Sequence, residues 1–331
     1  MKTIEVGKNE EGQRLTRVLS KYLRTAPDSF LYRMLRKKNI VLNDKRATGK
    51  ERLILGDIIK IYLSDDTVLK FGGEVYTPTD RSQAVPQLES LIIYEDDQIV
   101  IVDKPAGLLS QRAQEADVSV VDMVVDYLLR NGRIDQEQLK TFRPGIVSRL
   151  DRNTSGLVIA GKTLSALQDL NYLVRTHALR KEYAAFAQGR LSDEQILEGY
   201  WSKDSKTNTV SILKTPSEHA KRVLTHVMPA GFGTDPGTKE TVSYILVELL
   251  TGKGHQIRAH LAAVGHPLVG DTKYGACAAS FRTGQLLHAH KITFPEDHLS
   301  ETTLAALSGK TFSAPLPADF KSAYTWYQIQ E

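Results

Sequence analysis

Residues 144–162 read Pro-Gly-Ile-Val-Ser-Arg-Leu-Asp-Arg-Asn-Thr-Ser-Gly-Leu-Val-Ile-Ala-Gly-Lys. A short apolar run, Ile146-Val147, leads into a polar cluster around Asp151, and a second apolar run, Leu157 to Ala160, comes directly after it. The pattern predicts two strands joined by a polar segment that carries one carboxylate between two cations, Arg149 and Arg152. Loops held on rigid strands are where reactive groups concentrate. Flanking cations favour a charged carboxylate over the neutral acid, and the charged form serves as nucleophile or base. The same residues also fit an aspartate that closes a turn and pairs with its neighbours in solvent.

Around this segment the chain is strand-rich. Leu91 to Tyr94 and Ile99 to Val102 flank Glu95-Asp96-Asp97, a hairpin-like turn, and Lys104-Pro105-Ala106-Gly107 breaks the second strand. Ser119 is placed to cap a helix carrying Val121, Val124, Val125, Leu128 and Leu129, with Gly132 past its end. A second helix is expected over about 164–174, then β-rich runs at 183–189, 210–213, 223–228 and 244–250. Many strands and few helices in one block predict an α+β domain with a mostly antiparallel, mixed sheet over residues 89–331.

Residues 1–65 read as a separate small α+β unit. Leu15, Val18, Leu19, Tyr22 and Leu23 follow helical spacing. Pro27 breaks that helix, and Asp28 or Ser29 is expected to cap a second one with Leu31, Met34 and Leu35 inside. Arg33, Arg36, Lys37 and Lys38 crowd its outer side and C-terminal end. Cations there suit the helix dipole and equally suit a face that grips phosphates. Ile40 to Leu42, a turn at Asn43-Asp44, and Ile58 to Leu63 read as short strands. Residues 66–88, with Gly72-Gly73, Pro78 and Pro86, read as a linker.

The 331 residues suffice for two domains. With 41% apolar and 25% charged residues the composition is that of an ordinary globular protein, which excludes a fibrous or disordered class. No run approaches the ~18 apolar residues of a membrane span. Met1 to Gly7 lack the apolar core of a signal peptide. The single cysteine, Cys277, forms no intrachain disulfide, and the expectation is a cytoplasmic protein. A net charge of +4 is weak evidence for nucleic acid on its own. No zinc-type spacing or glycine-rich phosphate loop is present.

Arg149-Leu150-Asp151-Arg152-Asn153-Thr154-Ser155-Gly156 resembles the Arg-Leu-Asp-x-x-Thr-Ser-Gly signature of the RluA-type pseudouridine synthases, which isomerise uridine within RNA. Further stretches resemble the family in the same order along the chain: Lys104-Pro105-Ala106-Gly107, Lys181-Glu182-Tyr183, Thr251 to Arg258, Gly270-Asp271-x-x-Tyr274-Gly275, and Leu287 to His290. Ser148, where the family usually has His, and Lys253-Gly254 are departures. Residues 12–63 resemble the αL RNA-binding domain that precedes the catalytic domain in RluC- and RluD-like members.

The resemblance implies Asp151 as nucleophile, Arg258 as its partner and Tyr183 against the uracil. It implies a flipped-out base, with Arg149 or Arg152 in the vacated space, Arg149 being favoured by analogy. Lys104, Lys181 and His255 are implied as phosphate or pocket contacts, and Arg33, Arg36, Lys37 and Lys38 as RNA contacts of the first domain. The chemistry needs no redox group or metal, so no cofactor is expected. The implied partner is RNA, 23S large-subunit ribosomal RNA before tRNA. A monomer is expected because no long apolar heptad or exposed apolar strand stands out. A non-catalytic RNA-binding protein of the same fold and a base-excising hydrolase are the alternatives. The second would want a paired carboxylate; the neighbourhood of Asp151 offers no obvious one, and nothing in the spacing of Asp169 or Glu182 recommends them.

Overall fold

The computed structural model describes residues 1–72, 76, 86–114, 116–279, 283–297 and 299–330. The N-terminal unit runs β1 (Lys2–Glu5), α1 (Leu15–Tyr22), α2 (Asp28–Arg36), β2 (Ile40–Leu42), β3 (Lys45–Arg46), β4 (Ile58–Ile61) and α3 (Asp65–Gly72). Its sheet has the order β1-β4-β2-β3. Asn43 and Asp44 both take positive φ, 51° and 61°. Two such residues make the hairpin turn whose twist matches that of its strands. The stripe of α1, Leu15, Val18, Leu19 and Tyr22, is buried in one cluster with Leu31, Met34 and Leu35 of α2. Each such side chain contributes on the order of 1.5–3 kcal/mol of burial free energy.

Two expectations for this region need correction. The second helix is capped by Pro27, not Asp28 or Ser29, and Asp28 is its first residue. Proline's fixed φ and the acidic first turn account for the earlier start. The segment read as a linker opens with α3, whose Val68 is buried in the N-terminal cluster. Positions 73–75 and 77–85, the greater part of that segment, lie outside the described residues.

The larger unit is built on β5 (Ile92–Glu95), β6 (Ile99–Lys104), α4 (Val120–Arg130), α5 (Gln138–Thr141), β7 (Gly145–Ile146), β8 (Ser155–Gly161), α6 (Leu164–Arg175), β9 (Arg180–Gln188), β10 (Gln195–Asp204), β11 (Thr209–Leu213), β12 (Lys221–Thr234), β13 (Thr241–Leu249), α7 (Gln256–Ala263), β14 (Leu287–Thr293), β15 (Thr311–Ser313) and α8 (Ala318–Trp326). The sheet path is β11-β10-β12-β13-β9-β14-β8-β6-β5, with β15 on β14 and β7 on β8. Among the strand pairings of the described residues only β14–β8 is parallel, so the class is α+β with a mostly antiparallel mixed sheet, as expected.

Strands β6 and β8 alternate between two cores. Val100, Val102, Val158 and Ala160 join the cluster that holds α4. Ile99, Ile101, Leu157 and Ile159 face the cluster that holds Ala166, Leu170 and Leu173 of α6. Because helices cover both faces, these strands read as unbroken apolar runs. At Gly156, φ is 108° and an added Cβ would lie 2.3 Å from the Ala289 carbonyl oxygen. Only glycine permits β14 to approach β8 this closely at the base of the Asp151 loop.

The two units touch directly. Thr141 Oγ1 donates to Glu10 Oε1 at 2.6 Å, the Leu164 N–H to Asn9 Oδ1 at 2.9 Å, and Arg24 Nη2 to the Leu139 carbonyl at 3.1 Å. Among the described residues no helix is long and apolar enough to cross a membrane.

Candidate active site

Asp151 sits on the loop between β7 and β8, and the neighbouring 104–110 turn holds that loop. Ser110 Oγ donates to the Leu150 carbonyl at 2.8 Å and accepts the Leu150 N–H at 3.0 Å. The Gly107 N–H donates to the Arg152 carbonyl at 2.8 Å. Lys104 is fully buried, and its Nζ donates to the carbonyls of Pro105, Leu108 and Arg152 at 3.0, 2.8 and 3.1 Å. Within the loop the Thr154 N–H donates to the Asp151 carbonyl at 3.0 Å, and Thr154 Oγ1 accepts from Gln285 Nε2 at 2.9 Å.

The charged partner of Asp151 comes from α7. Arg258 Nη1 donates to Asp151 Oδ2 at 2.7 Å. Arg258 Nε and Nη2 donate to Asp271 Oδ2 and Oδ1, each at 2.7 Å, in the two-pronged geometry that a guanidinium favours. Burial disfavours the Arg258 cation, but the hydrogen bonds and charges of Asp271 and Asp151 outweigh it and raise its pKa. The start of α7 is tied down by Gln256. Its Nε2 donates to the Leu224 carbonyl and Thr225 Oγ1, and its Oε1 accepts from Thr251 Oγ1 and the Lys253 N–H.

Three aromatic or imidazole groups complete the floor. Tyr183 on β9 is 8% exposed, and burial followed by the Asp151 charge raises its phenol pKa. The Tyr274 ring lies under Arg258, with Cζ 5.0 Å from its centroid. His255 Nδ1 is 2.9 Å from Tyr274 Oη, and its Nε2 is 3.7 Å from Asp151 Oδ1. Burial lowers the His255 pKa, although the Asp151 charge pulls the other way. A cleft of about 610 Å³ opens over Asp151, Arg258, Tyr183 and His255, with Tyr274 behind them, and Arg112, Arg149, Arg152, Lys181, Lys203 and Lys253 line it. Burial pushes the Lys181 ammonium down to about 8. The cleft thus offers a carboxylate held from below, a buried phenol beside it and a cationic rim.

The model of the RNA pseudouridylate synthase family matches residues 98–263. An uncharacterized RNA pseudouridine synthase of Mycoplasma pneumoniae is 31% identical over 96% of this chain and 96% of its own length. The chain belongs to the RNA pseudouridylate synthase family. It is therefore an isomerase that acts on RNA. The ribosomal large subunit pseudouridine synthase C of Vibrio parahaemolyticus is 30% identical over 88% of this chain and 87% of its own. The structure of human RNA pseudouridylate synthase domain containing 4 shares the fold at a TM-score of 0.57 and 17% identity, covering 74% of this chain and 95% of that one.

The synthase cleft gathers Asp151, Tyr183, Arg258, His255, Lys181, Arg149 and Arg152 from the sequence expectations. Two readings are corrected. Arg149 and Arg152 do not hold the carboxylate: both are exposed, Arg152 Nε donates to the Gly107 carbonyl, and Arg258 is the ion partner. Lys104 is no phosphate contact, because its ammonium is inside the protein and capped by carbonyls. Arg33, Arg36, Lys37 and Lys38 are exposed on α2 and just after it, and they do not line the cleft.

Asp271, Tyr274 and Ser110 carry site geometry without having been singled out for a role. The string Gly270-Asp271-x-x-Tyr274-Gly275 was the available signal for the first two. Neither Asp169 nor Glu182 supplies the second carboxylate that a hydrolase would want. Asp169 accepts from the Thr303 N–H and hydroxyl on the surface, and Glu182 pairs with Lys291 at 3.2 Å.

Proposed function

We propose that the enzyme converts specific uridines to pseudouridine in 23S large-subunit ribosomal RNA, with Asp151 as the nucleophile acting on a base flipped out of its stack. The observation that carries this reading is the Asp151 carboxylate, which faces the cleft while Arg258 and Asp271 hold it from the protein side. Isomerisation cleaves the glycosidic bond and re-forms it to carbon with no net loss of atoms. The site must therefore retain the detached uracil, on which Tyr183, a residue of the cleft lining, stacks. Extruding a base costs a few kcal/mol. Arg149, exposed at the cleft rim, fills the space that the base leaves.

The rRNA target is supported by the ribosomal large subunit synthase among the relatives. Residues 1–65 act as an αL-type RNA-binding domain, with Arg33, Arg36, Lys37 and Lys38 on phosphates. Residues 89–331 form the catalytic domain of a cytoplasmic monomer, and Lys181 and His255 serve as its pocket contacts. The test is to incubate the enzyme with 23S rRNA and bulk tRNA transcripts and map pseudouridine at single-nucleotide resolution. Product confined to 23S rRNA is expected. Product confined to tRNA overturns the target assignment.

A further inference from the structure

Asp151 has two carboxylate oxygens, and the free enzyme holds only one. Oδ2 takes the Arg258 donor at 2.7 Å, whereas Oδ1 faces His255 Nε2 at 3.7 Å, beyond hydrogen-bond reach. His255 occupies the N-cap position of α7 with φ 56°. Left-handed backbone is uncommon outside glycine and persists where the surroundings impose it.

The surroundings here are Tyr274 and the β10–β11 hairpin. Tyr274 Oη accepts the Val210 N–H of β11 at 3.1 Å. The Tyr274 hydroxyl and His255 Nδ1 are 2.9 Å apart with the donor set by the imidazole tautomer, and the relay needs the tautomer in which the hydroxyl donates. A neutral imidazole that accepts at Nδ1 carries its hydrogen on Nε2. That hydrogen faces Asp151. The hairpin itself reaches the cleft through Lys203 and Asn208. It is pinned to the site by Trp201 Nε1, which donates to the Gly254 carbonyl at 2.9 Å, and by Lys273 Nζ, which donates to the Asn208 carbonyl at 2.8 Å. One connected run therefore leads from a surface that borders the RNA cleft to the second oxygen of the nucleophile.

We propose that Tyr274 is a positioning residue for His255, and that RNA seated against the β10–β11 hairpin closes His255 Nε2–H onto Asp151 Oδ1. This rests on the reading of Asp151 as nucleophile. The movement required is about 0.8 Å, the gap between the free separation and an ordinary hydrogen bond. Hydrogen bonds of this kind are often long in a free enzyme and tighten in the complex. With both oxygens held, the carboxylate meets the base in a single orientation.

The test compares single-turnover rates and RNA affinity on a 23S rRNA transcript that the wild type modifies. Tyr274→Phe keeps the ring under Arg258 and deletes only the hydroxyl. His255→Asn tolerates the left-handed backbone but is too short to reach Asp151, while His255→Gln restores an N–H of sufficient length. Tyr274→Phe and His255→Asn should each slow the chemical step about tenfold or more, the effect of one hydrogen bond to a charged group, with the affinity of Tyr274→Phe within about twofold. His255→Gln should recover most of the rate. Tyr274→Phe should cost nothing further in the His255→Asn background, because both act through one hydrogen bond.

Full activity of Tyr274→Phe, losses that multiply in the double variant, or a Gln variant as slow as the Asn variant would each overturn the proposal. If Tyr274→Phe does not fold, the Asn and Gln variants decide. A dead Asp151→Asn beside a fully active Tyr274→Phe removes this relay alone. An active Asp151→Asn removes the nucleophile reading beneath it.

Discussion

Arg258 Nη1 lies 2.7 Å from Asp151 Oδ2 across 107 residues of sequence, and it reaches that point because Nε and Nη2 are locked onto Asp271. The ion pair at the cleft floor is thus the exposed end of a buried one. Asp271 is 1% exposed and Arg258 7%. Removing one member of a buried pair strands the other without water.

Asp271→Ala should therefore cost about 3–5 kcal/mol of stability and release Arg258 from its orientation. Urea unfolding of the variant beside the wild type measures the first effect, and a pseudouridine assay the second. An unfolding midpoint equal to that of the wild type contradicts the assignment of Asp271 as the anchor.

Lys104→Met should abolish or strongly slow catalysis, because its ammonium ties the 105–108 turn to the Arg152 carbonyl beside Asp151. Misplacing a reactive group by an ångström can cost about 10²-fold in rate. RNA affinity should keep the wild-type dependence on salt, since a buried lysine displaces no counterions. A shallower salt slope would return Lys104 to the phosphate-binding set.

Lys181 lines the cleft with a pKa pushed down to about 8, against its ordinary 10.5. Its folded pKa is lower than its unfolded one, so between these values the unfolded chain binds the extra proton. Its contribution to stability accordingly rises as pH climbs through that window. RNA affinity runs the other way: the cation is lost above about 8, and binding weakens with pH. Lys181→Arg, charged throughout, should flatten the dependence of Kd on pH between about 7 and about 9.5. An equally steep profile in the Arg variant would show that other groups set it.

Replacing Arg36, Lys37 and Lys38 with Ala should weaken RNA binding and lower the slope of log K against log salt by about 0.7–0.9 for each phosphate no longer neutralised. The rate at saturating RNA should not change, because these side chains do not line the cleft. Point substitution suits this question better than deleting residues 1–65. Deletion would also remove Glu10 and Asn9, which bond to Thr141 and to the first turn of α6.

Much of this arrangement was legible in the sequence where one rule acted alone. The apolar spacing of Leu15 to Leu23 marked α1, and the turn at 95–97 between two apolar runs marked the β5–β6 hairpin. Ser119 and Gly132 bracketed α4. Strand β10 was not foreseen. Only Leu197 and Gly199 of its ten residues are buried, and with a glycine at one of the two inward positions the alternation is too short to mark a strand. Helix α3 was hidden by its Asp-Asp start and Gly-Gly end, which resemble a turn-rich linker.

The site was legible as a set of motif residues but not as a geometry. The spacing alone put Asp151 between Arg149 and Arg152, and only the family motif pointed to Arg258, which reaches Asp151 from a distant helix. Lysines are rarely buried without partners, so nothing in the pattern distinguished Lys104, which solvates its charge with carbonyls, from Lys181, which faces the cleft.

The most direct test is pseudouridine formation on 23S rRNA by the wild type and by Asp151→Asn, with RNA affinity measured in parallel. Equal affinity with product from the wild type alone is the predicted result. Pseudouridine made by Asp151→Asn at a comparable rate would contradict the central claim that this carboxylate is the nucleophile.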